Sequence, residues 1–272
     1  MSQELKKRAH TLLDAVIAGA SRPEPEDSLL LEINGFACGR ILSERMLFLQ
    51  GLPEAFARRF AFLPEKVRLS LPEPLTEANR FLAALARHAF ESGALKHWRG
   101  ELLDVRDFSG AVVLGQAERT FFRFMGLTTY CVHAAAVSPD GRIHLARRSR
   151  SKRVSPGLWD TLAGGMVAAG ESWLESLQRE TLEEAGLSAE SFTPIGEPSR
   201  VTVLRPVPEG WMREVSVTFP VRVAADAVPV NRDGEVESFD LVTPEELLAR
   251  IERGEVTVEA SIALLSLPCF SG

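Results

Sequence analysis

Apolar side chains recur at Leu5, Ala9, Leu12 and Val16, a helical spacing that predicts an amphipathic surface helix over residues 1–20. The polar run Ser21–Ser28 follows, and its two prolines, Pro23 and Pro25, block regular structure, so residues 21–28 read as a linker. Leu29–Ile33 and Phe36–Ile41 flank Asn34-Gly35, a dipeptide suited to the positive φ angles of a tight hairpin. From Thr76 to Glu91 the positions Phe81, Leu82, Leu85 and Ala89 return to a helical period, with Thr76 as N-cap and Gly93 just past the end. A second pattern begins near Thr128. Thr129–Val137 and Arg142–Ala146 bracket Pro139-Asp140-Gly141 as two strands and a turn, and a glycine-rich loop and a long helix come next. Ser199–Pro206 and Glu214–Val223 read as strands joined through Pro208, Glu209 and Gly210, and Thr243-Pro244-Glu245-Glu246 then opens a helix as a capping box. Strands alternating with helices predict an α/β fold with a mixed sheet covered by helices, preceded by a smaller α+β domain. The expected units are 1–125, accessory, and 126–272.

Composition supports two folded units. The chain has 272 residues, 45% apolar and 25% charged, the usage of an ordinary globular protein. Lys plus Arg number 31 against 37 Asp plus Glu, a net charge of −6 that argues against a nucleic-acid polymer as partner. The cysteines, Cys38, Cys131 and Cys269, are odd in number and widely spaced, which suggests neither a disulfide framework nor a zinc cluster and fits a reducing compartment. Lys6-Lys7-Arg8 ahead of Leu12-Leu13 and Val16-Ile17 imitates a secretory signal, but His10 and Asp14 interrupt it. No apolar run approaches the ~18 residues of a membrane span. The expectation is a cytoplasmic protein without membrane association.

The chemistry concentrates between Gly164 and Leu187. Gly165 is followed after five residues by Glu171, and after seven more by Arg179-Glu180-Thr181-Leu182-Glu183-Glu184-Ala185-Gly186-Leu187. At about 100° per residue, Glu183, Glu180 and Glu184 fall at roughly 180°, 240° and 280°, so three carboxylates share one helix face. Leu174, Leu177, Thr181 and Ala185 cluster on another face as the expected buried stripe. Clustered acids repel one another unless a cation neutralises them, and hard divalent ions take oxygen ligands of this kind. Gly164-Gly165 permits a tight loop whose backbone approaches the same place.

With this spacing the chain resembles the Nudix hydrolases. The resemblance implies a Nudix-type α/β/α sandwich and hydrolysis of a diphosphate by water attack on phosphorus, with Mg²⁺, or alternatively Mn²⁺, as cofactor. Carried over by position, Glu180, Glu183 and Glu184 would ligate the metal together with the carbonyl near Gly165. Glu183 would also take the proton from water, and Arg179 would orient the glutamates, although family members differ in which glutamate is the base. Thr181 departs from the family pattern, which has an aliphatic residue there; it lies on the buried stripe, so the departure touches packing and not chemistry.

Residues 29–272 further resemble a Nudix subgroup with an extra N-terminal domain, including plant members and a segment fused to fungal thiamin pyrophosphokinase. The residues carrying this are His97-Trp98-Arg99-Gly100-Glu101-Leu102, Tyr130-Cys131-Val132-His133, Arg147-Arg148-Ser149 and Asp233-Gly234-Glu235-Val236-Glu237-Ser238-Phe239. The implied substrate is thiamine diphosphate or an oxidised analogue, cut to the monophosphate. Arg147–Arg153 holds five cations in seven residues, so Arg147 and Arg148 are candidates for substrate phosphates, against a solvated basic loop. One of Glu235 and Glu237 is a candidate further ligand, and Trp173 is a candidate stacking group, against a helix-start residue covering the neighbouring domain. Trp98, Trp211 and Phe239 are further candidate stacking groups, against core or interface roles, and Cys131 and His133 read as packed strand residues. A non-catalytic Nudix-fold sensor and isopentenyl-diphosphate isomerase are the alternatives; the complete box argues against both. The N-terminal region is left to shape a substrate pocket, form a homodimer interface or extend the core.

Overall fold

The computed structural model describes residues 1–270; the last two positions of the 126–272 unit lie outside them. The chain opens with helix α1 (Gln3–Ala20), strands β1 (Ser28–Ile33) and β2 (Phe36–Leu42), helices α2 (Met46–Gln50) and α3 (Glu54–Ala57), and strands β3 (Phe60–Phe62) and β4 (Lys66–Leu69). Helix α4 (Leu75–Glu91), strands β5 (Leu102–Arg106) and β6 (Val113–Glu118) and helix α5 (Arg119–Met125) complete the first region. The second contains β7 (Thr128–Val137), β8 (Ile143–Arg148), β9 (Trp159–Asp160), β10 (Gly164–Met166), α6 (Trp173–Ala185) and β11 (Phe192–Pro194). It ends with β12 (Ser199–Val207), β13 (Gly210–Val223), β14 (Val236–Val242), α7 (Pro244–Glu252) and α8 (Val258–Leu265).

The N-terminal hairpin forms as its pattern requires: Asn34 and Gly35 take φ of 48° and 89°, and β1 pairs antiparallel with β2. These strands join β3 and β4 in a four-stranded sheet, β2-β1-β4-β3, beside the separate β5-β6 hairpin. Leu31, Ile33, Val67, Leu82, Leu85, Val105, Phe121 and Phe122 bury together there as one α+β core. Thr76 does not cap α4. Pro74 holds the N-cap position, and its carbonyl accepts from the amides of Glu77 and Ala78, so Thr76 lies inside the first turn.

In the second region an eight-stranded sheet runs β11-β13-β7-β8-β14, with β10 on β7, β12 on β13 and β9 on β8. It is mixed, β13 and β7 being parallel and the remaining pairs antiparallel. Every residue of β7 is buried because helices cover both sheet faces. Tyr130, Val132, Ala134 and Ala136 meet Leu177 and Ala185 of α6, whereas Ala135 and Val137 meet Leu264 and Leu265 of α8. Helix α1 joins the α8 side, with Leu5 and Ala9 buried among Leu247, Leu264 and Phe270 and Arg8 paired with Glu252. The β12–β13 turn is tighter than the pattern suggested, since Gly210 already pairs with Val207.

Two seams join the first region to the second, and the latter of them lies at the loop that enters α6. The Arg40 amide donates to the Gly126 carbonyl at 2.9 Å, and a Cβ on Gly126 (φ +64°) would collide with the Arg40 carbonyl. The Ala169 amide donates to the Leu102 carbonyl at 2.9 Å, and the Gly170 amide donates to both carboxylate oxygens of buried Asp104 at 3.2 Å.

Candidate active site

Helix α6 starts at a capping box: the Glu175 amide donates to Ser172 Oγ, and the Ser172 amide donates to Glu175 Oε2. It stops at Gly186, whose φ of 65° suits glycine at a helix end. Its buried face comprises Ser176, Leu177, Thr181, Glu184 and Ala185. Leu174 was expected on that stripe but is 45% exposed; it belongs to the first turn and sits to one side of the line through Leu177 and Thr181. Thr181 is accommodated because its hydroxyl donates to the Leu177 carbonyl at 2.6 Å, so its own polar group is paired in the core.

Arg179 ties the acids together. Its Nε donates to Glu171 Oε1 at 2.9 Å, its Nη1 to Glu180 Oε1 at 2.7 Å and Glu183 Oε2 at 3.2 Å, and its Nη2 to the Met166 carbonyl at 3.2 Å. Glu171 is the anchor of this fork: Arg179 holds its carboxyl below the usual range, and Ser176 Oγ also donates to it. Glu180 is 13% exposed and Glu183 53% exposed. Burial pushes the Glu180 carboxyl up, against the opposing pull of Arg179. A Cβ at Gly165 would fall on the Glu180 carboxylate, which is why glycine is needed there.

Glu184 lies deeper. Burial pushes its carboxyl up to about 8, although the Gly164 amide donates to Oε2 at 3.0 Å and Lys152 lies nearby. Glu184, Asp233 and Glu235 each bring a carboxylate oxygen to within 4.8 Å of the others. Asp233 is fixed by accepting from the Glu235 amide at 2.8 Å, and the Glu235 carbonyl accepts from the Ser149 amide at 2.8 Å. The ammonium of Lys152, 18% exposed, lies 3.6 Å from Glu184 Oε1 and pairs with Glu235. The donor set is oxygen only, with Glu184 buried and Asp233 and Glu235 exposed beside it, and it fits a hard divalent ion.

The other sequence candidates separate clearly. Arg148 pairs with Asp160 at 2.7 Å and donates to the Val154 carbonyl, and Arg147 donates to the Gly157 carbonyl and lies over Trp159. Both hold the loop in shape, and it is Lys152 of the same basic run that reaches the acids. Glu235 joins the cluster, whereas Glu237, at the bulge in the β14–β8 ladder, faces Arg147 and Arg150. The Trp173 ring packs between Arg200, 3.9 Å from its centroid, and Tyr130, so it offers packing and not an open stacking face. Cys131 and His133 are buried as expected, with Sγ 3.3 Å from Ser216 Oγ and burial raising the thiol well above its usual range. Asp233 and Lys152 were not singled out beforehand; the turn sequence Asn231–Glu235 was the available signal for the first.

Residues 128–260 match the NUDIX domain. "Nudix hydrolase 24, chloroplastic" of Arabidopsis thaliana is 31% identical over 172 residues, covering 61% of this chain and 46% of that protein. The chain thus spans about half the length of the plant relatives it matches, 46% and 50% for two from Arabidopsis. A Deinococcus radiodurans crystal structure aligns at 28% identity with a TM-score of 0.43, covering 58% of this chain and 92% of that one. An uncharacterised Nudix hydrolase from Nostoc is 31% identical over 170 residues that take in 61% of this chain and 95% of the Nostoc protein. With one relative covered almost end to end at that identity, the chain belongs to the Nudix family.

Proposed function

We propose that the chain is a Nudix-type diphosphatase that hydrolyses a phosphoanhydride in a nucleoside-diphosphate-like or thiamine-diphosphate-like small molecule and releases a monophosphate. The observation that carries this is the convergence of Glu184, Asp233 and Glu235 beside an α6 face that also presents Glu180 and Glu183. Glu180, Glu183, Glu184 and the Gly165 backbone are the proposed first ligands of Mg²⁺ or Mn²⁺, and Glu235 and Asp233 complete the set. Bound there, the cation supplies charge neutralisation for phosphate oxygens and acidifies water. Glu183, the most exposed of the three box glutamates, takes the proton as the water oxygen bonds to phosphorus and the bridging P–O bond breaks, and Arg179 holds it in place. Lys152, beside Glu184 and Glu235, is the cation of the basic run that would meet a substrate phosphate.

Residues 126–272 would be the catalytic unit and 1–125 the accessory one, whose own core begins at Leu31 while helix α1 packs on the catalytic unit, in keeping with the thiamin-related subgroup layout. Among the described residues no helix is long and apolar enough to cross a membrane. All three cysteines are free, which suits the proposed cytoplasmic setting.

The test is phosphorus NMR of the full chain with nucleoside, sugar, coenzyme and thiamine diphosphates, with Mg²⁺ and with chelator. Metal-dependent monophosphate release, removed by Glu183→Gln and Glu184→Gln without unfolding, is the expected result. Wild-type rates in both variants, or no turnover of any substrate, would overturn the proposal.

A further inference from the structure

The loop that enters α6 turns back on itself just before Glu171. The Glu171 amide donates to the Ala168 carbonyl at 3.2 Å and Gly170 takes φ of 81°, which makes Ala168–Glu171 a type II turn. A Cβ on Gly170 would meet nothing within 4 Å, so glycine serves the backbone angle there and not a need for room. The amides of the two central residues point at strand β5 of the first region: Ala169 donates to the Leu102 carbonyl, and Gly170 donates to the Asp104 carboxylate. Asp104 is itself firmly held. Its side chain is 5% exposed and accepts from Arg106 Nη2 at 2.7 Å and from Gln116 Nε2 at 3.2 Å. Those partners are fixed in turn, since Arg106 Nη1 donates to the Gly110 carbonyl at 3.2 Å and the Gln116 amide donates to Asn79 Oδ1 at 2.8 Å. The first region thus presents a charged acceptor, anchored on its own strands, to a backbone amide of the catalytic loop.

From Gly170 the path to the acids is short. Glu171 is the next residue, and its carboxylate accepts from Arg179 Nε at 2.9 Å and from Ser176 Oγ at 2.5 Å. The same guanidinium reaches Glu180 at 2.7 Å and Glu183 at 3.2 Å. We propose that Asp104 is a positioning residue: through the 168–171 turn, Glu171 and Arg179, the first region sets where the carboxylates of α6 stand. This rests on the diphosphatase reading and gives the accessory region a part in the chemistry. Asp104 touches no reacting group; it acts on orientation, on which rates depend steeply, a misplacement of ~1 Å being able to cost about a hundredfold.

The test uses the full chain and Asp104→Asn, which keeps the shape but sets an amide donor against groups that are all donors. In chelator, NMR should show the Gly170 amide exchanging with solvent at least about tenfold faster and the Arg179 Nε–H resonance shifted. With Mg²⁺ and the nucleoside, sugar, coenzyme and thiamine diphosphates, kcat should fall about tenfold while KM stays within about twofold, because no group that meets substrate is changed. Two further variants separate positioning from folding. Ala169→Pro suits the second position of the turn but removes the bond to Leu102; it should shift the Arg179 resonance and lower kcat as well, and it carries the same readouts if Asp104→Asn does not fold. Val67→Ala loosens the core of the first region on β4, away from β5, and should leave both kcat and the Arg179 resonance unchanged. Wild-type kcat in Asp104→Asn and Ala169→Pro overturns the proposal, whether or not the Arg179 resonance moves, and so does an equal fall of kcat in Val67→Ala; an inactive Glu183→Gln then keeps the hydrolase. Wild-type turnover in Glu183→Gln, or no turnover of any diphosphate, overturns the hydrolytic reading instead, and the readouts in chelator still decide whether Asp104 holds the Arg179 fork.

Discussion

Replacing Arg179 separates charge from geometry at the centre of the site. Its guanidinium, 29% exposed, reaches Glu171 at 2.9 Å, Glu180 at 2.7 Å, Glu183 at 3.2 Å and the Met166 carbonyl at 3.2 Å. Hydrogen bonds to charged groups contribute roughly 1.5–3 kcal/mol each, less with solvent access and less when they share one donor group. Arg179→Ala should therefore destabilise the chelated protein by about 2–4 kcal/mol, because it strands the half-buried Glu171 and the more deeply buried Glu180. Arg179→Lys keeps the charge but loses the planar fork that spans three carboxylates, and should recover less than half of that. Urea unfolding at constant m-value measures both. The pH dependence has a definite sign. Glu171 is held below its ordinary value by Arg179, so its contribution is fully present above the unfolded pKa of about 4.5 and is lost as pH falls through the lower folded value. The gap between wild type and Arg179→Ala should narrow on acidification through that window. An Arg179→Ala protein within about 0.5 kcal/mol of wild type would refute the claim that this fork holds the acids, since that is the scatter of ordinary surface substitutions.

Other perturbations address separate parts of the structure. Mg²⁺ at a hundredfold excess over its Kd should stabilise the wild type by about 2.7 kcal/mol in thermal unfolding, and Glu184→Gln should abolish most of that response; an undiminished response would remove Glu184 from the ligand set. Gly165→Ala places a methyl on the Glu180 carboxylate and should lower kcat/KM at least about tenfold in a steady-state assay, with circular dichroism unchanged. Gly126→Ala adds left-handed strain to a collision with the Arg40 carbonyl, and a loss of about 2–4 kcal/mol in urea unfolding is expected; a neutral result would mean the seam yields easily.

The acidic helix could be read from sequence because its geometry is local. Glu180, Glu183 and Glu184 lie within a turn of one another, and the helix period alone sets their relation. The hairpin at Asn34-Gly35 was legible for the same reason. Lys152, Asp233 and Glu235 meet Glu184 only because β14 pairs with β8 and brings two distant loops to one edge, a relation that no local spacing contains. The basic run at 147–153 announced cations but not their directions, which depend on Asp160, Gly157 and Trp159 as competing partners. At Thr76, a preceding proline able to take the cap position outweighed the general preference for threonine. Leu174 shows that a stripe drawn on a helical wheel says nothing about where the covering sheet ends.

The packing of α1 on α7 and α8 gives the chain a discontinuous catalytic body. The first twenty residues return to the far face of the main sheet, and the α+β region is inserted between that clasp and β7. A truncated chain starting at residue 126 would therefore lose more than the accessory region. It would uncover apolar side chains around Leu247, Leu264 and Phe270, and its misbehaviour could be mistaken for dependence on the inserted region. Excising 29–125 internally, with a flexible bridge that leaves the clasp in place, is the cut that respects how the molecule is built.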